Sequence, residues 1–428
     1  MSKPGDKVSI TTKDETIKGT LMPDDDNFIV VKLDSGYNMG INRKSVKNIK
    51  VVEAHKPHKE STTGHTHMPG LPLISILHTG GTIASKVDYE TGGVIARFSP
   101  EELLAQFPEL SAIVNVESRL IRNMFSEDMR FAHYNILAKE IEKEVKKGAS
   151  GIIITHGTDT LHYSAAALSF MVRPLPVPVI LVGAQRSSDR GSSDAAMNVV
   201  CAAAFIAQTD FAGVAACMHA SMSDDTCVII PGTHCRKMHS SRRDAFKTVN
   251  AQAWATVNVT DKKVTLLRDD YTRRSAAKPV VMQIDEDLKI GILYAHPNMH
   301  ADEIKQYEEY DGLVIAGTGL GHVPINEIDD ETKEHTKILK ALASLTKKGV
   351  PVVMTSQTIF GTIDLDVYAT GRKIQDAGVL GNGTYITTDV AFIKLAWLLT
   401  NHKDHIATHW SQNMVGELGD GSPSGVPW

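Results

Sequence analysis

The chain has 428 residues, with 45 lysines and arginines against 50 aspartates and glutamates, so its formal charge is −5. This length predicts two or three domains, because single hydrophobic cores stop growing near ~250–300 residues. The acidic balance argues against nucleic-acid binding over the whole surface and is compatible only with a local basic patch. The four cysteines show no Cys-x-x-Cys pairing, and we expect reduced thiols at Cys201, Cys217, Cys227 and Cys235.

No segment of the sequence predicts export or membrane insertion. Residues Met1–Lys7 are polar and lack the apolar core of a signal peptide. No apolar run approaches the ~20 residues that span a bilayer. We therefore predict a cytoplasmic protein that does not associate with a membrane.

Residues 1–55 are predicted to form a small β-barrel domain. Turn-forming residues separate four short runs that have strand character: Lys7–Thr12, Thr16–Met22, Asn27–Leu33 and Asn38–Ile41. Residues 56–70 are polar, have no hydrophobic period and predict a linker. Histidines at positions 55, 58, 65 and 67 raise metal binding as an alternative. Because no periodic element holds these histidines, we predict no metal site.

Residues 71–285 and 286–428 each alternate apolar strand patterns with helical patterns. Val179–Gly183 is one such strand pattern in the first region, and Lys289–Ala295 opens the second. Alternation of this kind predicts a parallel sheet covered by helices on both faces. We therefore predict an α/β fold with two parallel-sheet domains, divided within the charged stretch Gln283–Lys289.

Two apolar runs end abruptly in glycine-containing turns that carry threonine hydroxyls. The first is Leu73–Ser85, and the second is Gly151–Thr160, which adds Asp159 and leads into the helical pattern Leu161–Met171. Strand ends in a parallel sheet direct backbone N–H groups and small hydroxyls into a crevice. Two hydroxyl-bearing turns, without a catalytic Ser-His pattern, favour amide hydrolysis by a threonine nucleophile.

The two turns resemble the signatures of bacterial-type L-asparaginases and glutaminases, at Thr79–Ala84 and Thr155–Thr160. The likeness continues through Val182–Arg186 and Cys235–Lys247. Together with the N-terminal segment that ends in Val31–Ile41, the combination resembles the D subunits (GatD) of archaeal glutamyl-tRNA(Gln) amidotransferases. The resemblance implies an asparaginase-like pair of parallel-sheet domains, the first of which carries the catalytic threonines.

The resemblance assigns catalysis to four residues, Thr82, Thr158, Asp159 and Lys237. Thr82 would attack the amide carbonyl, and the other three would form a hydroxyl–amine–carboxylate relay. A threonine hydroxyl needs a base, and lysine serves as one only when desolvation lowers its pKa. Without the resemblance, Thr82 is a turn or strand residue and Lys237 a solvated surface lysine. Thr158 and Asp159 are then helix N-caps.

The resemblance also predicts four substrate-binding residues: Tyr89, Ser126, Glu127 and Asp159. Tyr89 falls in the glycine-flanked stretch Asp88–Gly93, which suits a hinged lid, although an exposed loop tyrosine is the alternative. Ser126 and Asp159 supply a hydroxyl and a carboxylate for the α-groups of the amino acid. Glu127 stands where many asparaginases carry glutamine.

The sequence contains no phosphate-binding loop of the Gly-x-x-x-x-Gly-Lys-Ser/Thr type, so ATP chemistry would belong to a partner. The resemblance implies that this chain hydrolyses glutamine and passes ammonia to a synthetase-like E subunit (GatE). That subunit would use ATP and Mg²⁺ to convert glutamyl-tRNA(Gln) into glutaminyl-tRNA(Gln). The resemblance further implies a homodimer within a heterotetramer, and no cofactor in this chain.

Two other functions are compatible with the residues. The first is a free-standing cytosolic L-asparaginase, against which the N-terminal segment argues. The second is a non-catalytic asparaginase-like scaffold whose barrel binds a partner. The presence of all four predicted catalytic residues argues against this scaffold.

Overall fold

The computed structural model of the chain describes residues 2–22, 27–33, 38–54, 67–80, 85–87, 94–96, 104, 107–186 and 193–418. Thr82 and Tyr89, the predicted nucleophile and lid residue, lie outside the described residues, as does most of the predicted linker. Both assignments therefore stay predictions.

The N-terminal strands form an antiparallel sheet with one apolar face. They are β1 (Lys7–Thr11), β2 (Thr16–Leu21), β3 (Phe28–Lys32), β4 (Asn38–Asn42) and β5 (Asn48–Glu53), in the spatial order β4-β3-β2-β1-β5. Alternate side chains of a strand point to one face, and here they form one buried cluster: Val8, Ile10, Ile17, Leu21, Ile29, Val31 and Ile41. The sequence predicted the first four strands. It missed β5, whose side chains show no buried alternation.

An eight-stranded mixed sheet forms the centre of the next part of the chain. Its strands are β6 (Leu73–His78), β9 (Asn115–Leu120), β10 (Gly151–Thr155), β12 (Pro178–Val182), β13 (Gly213–His219), β14 (Thr226–Pro231), β17 (Ala255–Asn258) and β18 (Val264–Leu266). The spatial order is β18-β17-β14-β13-β12-β10-β6-β9. The strands from β9 to β13 are parallel, as predicted. The last three, β14, β17 and β18, pair antiparallel with their neighbours. No helix crosses the sheet between them: short turns join β13 to β14 and β17 to β18, and the β15–β16 segment joins β14 to β17.

Helices cover both faces of this sheet, which explains why strands such as β10 and β12 are continuous buried runs. They are α1 (Phe131–Lys146), α2 (Leu161–Met171) and α3 (Ala195–Gln208). Along β10, Ile152 and Ile154 pack in the cluster that contains α1 and α2. Ile153 points the other way, into the cluster that contains α3.

Three short antiparallel ladders accompany the large sheet. They pair β7 (Ser85–Val87) with β8 (Val94–Ala96), β11 (Val172–Arg173) with β19 (Val280–Val281), and β15 (Cys235–Lys237) with β16 (Phe246–Thr248). The β15–β16 ladder carries Lys237, and the β7–β8 ladder brackets the predicted lid stretch.

A second, smaller parallel sheet follows. It consists of β20 (Ile290–Tyr294), β21 (Gly312–Gly317) and β22 (Val352–Ser356), in that spatial order. Its helices are α4 (Asp302–Lys305), α5 (Lys333–Lys347), α6 (Ala369–Asp376), α7 (Thr388–Asn401) and α8 (Ile406–Trp410). Helix α7 also packs on α2, where the rings of Phe170 and Trp397 lie 5.8 Å apart. The predicted fold class, an asparaginase-like α/β pair after a small N-terminal β-domain, is confirmed. The described N-terminal strands pair in one sheet with β4 and β5 at its edges, so closure of the predicted β-barrel stays a prediction.

A buried ion pair ties the segment after α8 to α7. Lys394 and Glu417 are both fully buried, and the Lys394 Nζ lies 2.7 Å from the Glu417 Oε1. The same ammonium donates to the carbonyls of Trp410 and Gln412. Burial lowers the pKa of Lys394, since water no longer solvates its charge. The Glu417 carboxylate compensates for this lost hydration.

Glu417→Gln is expected to lower the free energy of unfolding by about 3 kcal/mol, because it leaves a buried ammonium without its counter-charge. Denaturant titration measures the change. The control is Glu53→Gln, which breaks an ion pair with Lys7 whose side chains are 70% and 63% exposed. That change is expected to cost less than about 1 kcal/mol. Similar costs for the two variants would contradict the importance of burial.

Candidate active site

The two signature turns leave the large sheet side by side at its carboxyl edge. β6 and β10 pair in parallel, and His78 at the end of β6 lies opposite Thr155 at the end of β10. Both the backbone N–H and the hydroxyl of Thr79 donate to the Thr155 carbonyl, at 3.1 and 3.0 Å. The chain segment that leads to the predicted nucleophile is therefore anchored directly to the strand that leads to Thr158.

Three of the predicted catalytic side chains are in contact. The Lys237 Nζ lies 2.9 Å from the Thr158 Oγ1 and 2.7 Å from the Asp159 Oδ1. The Lys237 side chain is only 10% exposed, whereas that of Asp159 is 65% exposed. A hydroxyl, an amine and a carboxylate are thus joined by hydrogen bonds beyond the carboxyl edge of the sheet. This arrangement can move a proton between a threonine hydroxyl and a lysine amine.

The geometry also decides between the alternatives for these residues. Thr160 is the N-cap residue of α2, and its hydroxyl donates to the Ser126 carbonyl at 2.5 Å instead of capping the helix. The helix-cap interpretation of Thr158 and Asp159 therefore does not hold. The interpretation of Lys237 as a solvated surface lysine is also wrong, because its side chain is only 10% exposed and its Nζ contacts both of their side chains.

Ser126 lies directly against the second signature turn. It is 3% exposed and begins a short 3₁₀ helix, Ser126–Asp128. A Cβ at position 157 would come within 2.8 Å of the Ser126 Cβ, so glycine is required there. Glu127 is exposed on the same turn, and no described contact joins its carboxylate to the relay. Substrate binding by Ser126 and Glu127 stays a prediction.

Two buried histidines fix the strand ends beneath the turns, and the sequence did not single them out. The His156 Nδ1 donates to the Gly157 carbonyl at 2.7 Å, so its Nε2 accepts from the Ser164 hydroxyl at 2.8 Å. Burial lowers the pKa of His156 to about 4. His78 contacts the hydroxyls of Thr155 and Ser118, and burial lowers its pKa to about 3. Both rings are neutral at physiological pH, and their hydrogen bonds hold the strand ends in place.

A third segment, the turn after β12, packs beside Thr158. Asp194, fully buried, accepts hydrogen bonds from the backbone N–H groups of Gln185 and Arg186, at 3.1 and 2.9 Å. These bonds fix the turn after β12, within the Val182–Arg186 stretch that carries part of the family resemblance. Gly183 in this turn has no room for a side chain, because an added Cβ would lie 2.7 Å from the Thr158 Cγ2.

A cavity of about 570 Å³ lies elsewhere, at the opposite edge of the large sheet. Gly213 and Pro231, at the amino end of β13 and the carboxyl end of the antiparallel β14, are among its lining residues. The cavity contains none of the predicted catalytic residues. We assign the chemistry to the carboxyl edge because proton transfer requires contacting groups, and those contacts are found there.

Neither a metal cluster nor a membrane span is present among the described residues. Within them, no three His, Cys, Asp or Glu side chains come together as potential metal ligands. The linker histidines at positions 55, 58 and 65 lie outside the described part of the chain. No described helix is long and apolar enough to cross a membrane.

Family models match three successive parts of the chain. Residues 2–52 match the GatD N-terminal domain, residues 73–271 the N-terminal asparaginase domain, and residues 289–409 the glutaminase/asparaginase C-terminal domain. The chain is 41% identical to the D subunit of the glutamyl-tRNA(Gln) amidotransferase of Methanococcus maripaludis, over 97% of this chain and 98% of the relative. The chain belongs to the GatD family of glutamyl-tRNA(Gln) amidotransferase subunits. A family member from Pyrococcus furiosus is 42% identical, with 94% of this chain and 90% of the relative covered.

Solved structures place the family's fold among the asparaginases. The thermostable L-asparaginase from Thermococcus kodakarensis superimposes with a TM-score of 0.69 at 28% identity, covering 81% of this chain and 99% of that protein. L-asparaginase I from Vibrio cholerae gives the same TM-score at 26% identity, covering 82% and 99%. The family resemblance predicted from the two turns is therefore confirmed, and the chain is an asparaginase-family enzyme.

Gly183→Ala is expected to lower the rate of amide hydrolysis about 10- to 100-fold, because the new methyl group displaces Thr158 from Lys237. Ammonia release from glutamine or asparagine measures this rate. Gly40→Ala is the matched control, since a Cβ there meets its nearest atom, the Phe28 Cδ1, at an ordinary 3.8 Å. An unchanged rate in Gly183→Ala would show that Thr158 does not depend on this packing.

The low pKa of His156 predicts a loss of stability in mild acid. Its folded pKa of about 4 lies below the ordinary value of 6.5, so between these values the unfolded chain binds a proton that the folded protein excludes. The stabilisation is complete above pH ~6.5 and falls by about 1.4 kcal/mol per pH unit as the pH drops towards 4. His156→Gln should therefore show a shallower decline than the wild type in urea unfolding across this range.

The exposed His405 offers the control for this measurement, as His405→Gln removes an imidazole that is not buried. It should keep the decline of the wild type. Identical slopes for His156→Gln and the wild type would mean that the His156 ring binds a proton as readily in the folded protein as in the unfolded chain.

Proposed function

We propose that this chain is the glutaminase subunit of a tRNA-dependent amidotransferase in the cytoplasm. It hydrolyses glutamine to glutamate and ammonia. A partner subunit uses the ammonia to convert glutamyl-tRNA(Gln) into glutaminyl-tRNA(Gln). The contact of Lys237 with Thr158 and Asp159 is the observation that supports the amidohydrolase half of this proposal most directly.

In the proposed mechanism, the Thr82 hydroxyl attacks the side-chain carbonyl of glutamine, and ammonia leaves with a proton. Water then attacks the acyl-enzyme and releases glutamate. Thr158 and Lys237 transfer the protons of both steps. Such transfer requires hydrogen-bond distance between the hydroxyl and the amine, and their atoms lie 2.9 Å apart. Asp159 orients the amine from its other side, at 2.7 Å.

The relay also suggests how the substrate is held. Asp159 contacts Lys237 through its Oδ1, and its side chain is 65% exposed. The second carboxylate oxygen is therefore accessible to the α-amino group of glutamine. Ser126 and Glu127, on the neighbouring 3₁₀ helix, are proposed to contact the remaining α-groups. Tyr89 is proposed to close over the substrate from the lid stretch.

We infer the partner and its cofactors from the family. The relatives are named as the D subunit of a glutamyl-tRNA(Gln) amidotransferase, so they are parts of a larger assembly. Since this sequence contains no phosphate-binding loop, we assign ATP and Mg²⁺ to a synthetase-like E subunit (GatE), and no cofactor to this chain. Glutamyl-tRNA(Gln) is reached through that complex. A homodimer of this chain within a heterotetramer is the proposed assembly.

A free-standing L-asparaginase is the second candidate, because the two superimposed structures are named L-asparaginases. Those structures cover only 81% and 82% of this chain. The N-terminal domain at residues 2–52 matches the GatD family instead. We therefore favour the amidotransferase subunit over the free-standing enzyme.

The test uses the complex reconstituted with the E subunit, ATP and glutamyl-tRNA(Gln). Thr82→Ala and Lys237→Met are each expected to abolish amidation with glutamine as nitrogen donor, because neither variant can complete acyl transfer. Both should retain amidation with free ammonium, which bypasses the hydrolysis step. Lys237→Arg should behave like Lys237→Met, since a guanidinium stays protonated and cannot act as a base. Formation of glutaminyl-tRNA measures all of these reactions.

The outcomes separate the alternatives. If Thr82→Ala keeps glutamine-dependent amidation, Thr82 is not the nucleophile. If Lys237→Arg is as active as the wild type, the lysine contributes only charge. A wild-type chain that hydrolyses asparagine and supports no amidation in the complex would favour the free-standing asparaginase.

A further inference from the structure

A buried carboxylate from the second sheet domain lies behind the relay. Asp389 stands in the first turn of α7 and is 1% exposed. Its Oδ1 accepts a hydrogen bond from the Arg236 Nη1. Arg236 directly precedes Lys237 on β15, and its side chain is 22% exposed. The relay lysine therefore has a neighbour in the chain that is bound to the other domain.

Strand geometry explains how this neighbour acts. Successive side chains of a strand point to opposite faces, so Lys237 reaches Thr158 and Asp159 while Arg236 reaches the opposite way, to α7. The β15–β16 ladder has three residue pairs, and Cys235 at its start is buried in the core. An ion pair to a buried, rigid helix adds a fixed point next to Lys237. The position of the relay amine therefore depends on a contact that substrate does not touch.

The same carboxylate also faces the helix that follows the second signature turn. The Asp389 Oδ2 lies 3.6 Å from the His162 Nε2, and His162 is in the first turn of α2. Burial, followed by the charges of Arg236 and Lys237, lowers the pKa of His162 to about 3, so the ring is neutral at physiological pH. Arg236 is thus the charged partner of Asp389, whereas His162 is an uncharged neighbour of the same carboxylate. The Asp389 side chain therefore contacts β15, which carries Lys237, and α2, which follows the turn of Thr158 and Asp159.

We propose that Asp389 is a positioning residue for the relay. Its carboxylate holds Arg236, which places the Lys237 amine between Thr158 and Asp159, and it balances a positive charge beside that amine. The inference rests on the proposed function, in which Lys237 moves protons. Helix α7 of the second domain would thereby help to position the catalytic residues of the first domain.

Asp389→Asn is expected to lower kcat for glutamine about 10- to 100-fold, because a small displacement of a reacting group has this cost. The KM should change less than about threefold, since Asp389 does not touch the substrate. In a crystal structure of the variant, the distance between the Lys237 Nζ and the Thr158 Oγ1 should exceed the 2.9 Å of the wild type.

The pH profile distinguishes this role from a general loss of stability. Asp389→Asn leaves the Arg236 charge unbalanced, which disfavours protonated Lys237 and should move the pH midpoint of kcat down by about half a unit or more. Arg236→Met leaves the carboxylate unbalanced and should move the midpoint up. The double variant removes both charges and should restore it. The titratable and charged groups around the pair are Asp159, His156, His162, Tyr163 and Lys237.

Glu417→Gln is the matched control, since it also removes a buried carboxylate that pairs with a cation, Lys394 on the same helix α7. It should lower stability without moving the pH midpoint or the kcat. Arg236→Lys, which keeps the charge, serves if Arg236→Met does not fold. It should leave the midpoint near that of the wild type.

The result that overturns the inference is Asp389→Asn with the kcat and pH midpoint of the Glu417→Gln control and an unchanged relay distance. Failure of the proposed function appears separately, as a wild-type chain that releases no ammonia from glutamine. In that case the ratio of variant to wild type is measured with asparagine. The crystallographic distance decides the positioning role whichever substrate is used.

Discussion

The structure depends on the parallel pairing of β6 with β10, the second and third strands from the β9 edge of the large sheet. The register places His78 opposite Thr155, so both strands end at the same level and both signature turns begin there. Thr79 then bonds twice to the Thr155 carbonyl and locks the two turns together. A register shift by one residue would turn every side chain of β10 to the opposite face and separate the turns.

Around this pair, the relay is assembled from elements that are distant in the chain. Thr158 and Asp159 come from the turn before α2, whereas Lys237 comes from a short ladder beyond β14. Gly183, after β12, leaves the space that Thr158 occupies. The turn that carries Thr158 and Asp159 is held between the buried strand β10 and helix α2, and such support is the condition for holding reacting atoms within a few tenths of an ångström.

Among the described residues, several buried charges are balanced by an opposite charge, whereas the buried Asp194 accepts backbone hydrogen bonds instead. Asp389 is paired with Arg236, and Lys394 with Glu417, because an isolated ion loses its hydration without compensation. The buried His78, His156 and His162 avoid the cost of a buried charge because they remain neutral. Both ion pairs involve α7, the helix that packs on α2 and on the second sheet. Of the two, only the Arg236–Asp389 pair joins the first domain to the second, so the described interface contains an ion pair as well as apolar contacts.

The sequence by itself determined the strand and helix alternation, the two hydroxyl-bearing turns and the family, since these depend on local periodicity and on residue types in fixed order. It predicted four of the five N-terminal strands and missed β5, whose exposed residues leave no pattern. Only the tertiary structure decided that Lys237 contacts Thr158 and Asp159, that His156 is neutral and that Asp389 lies behind the relay. Burial and hydrogen-bond partners arise from contacts between distant segments, and no local pattern of residues encodes them.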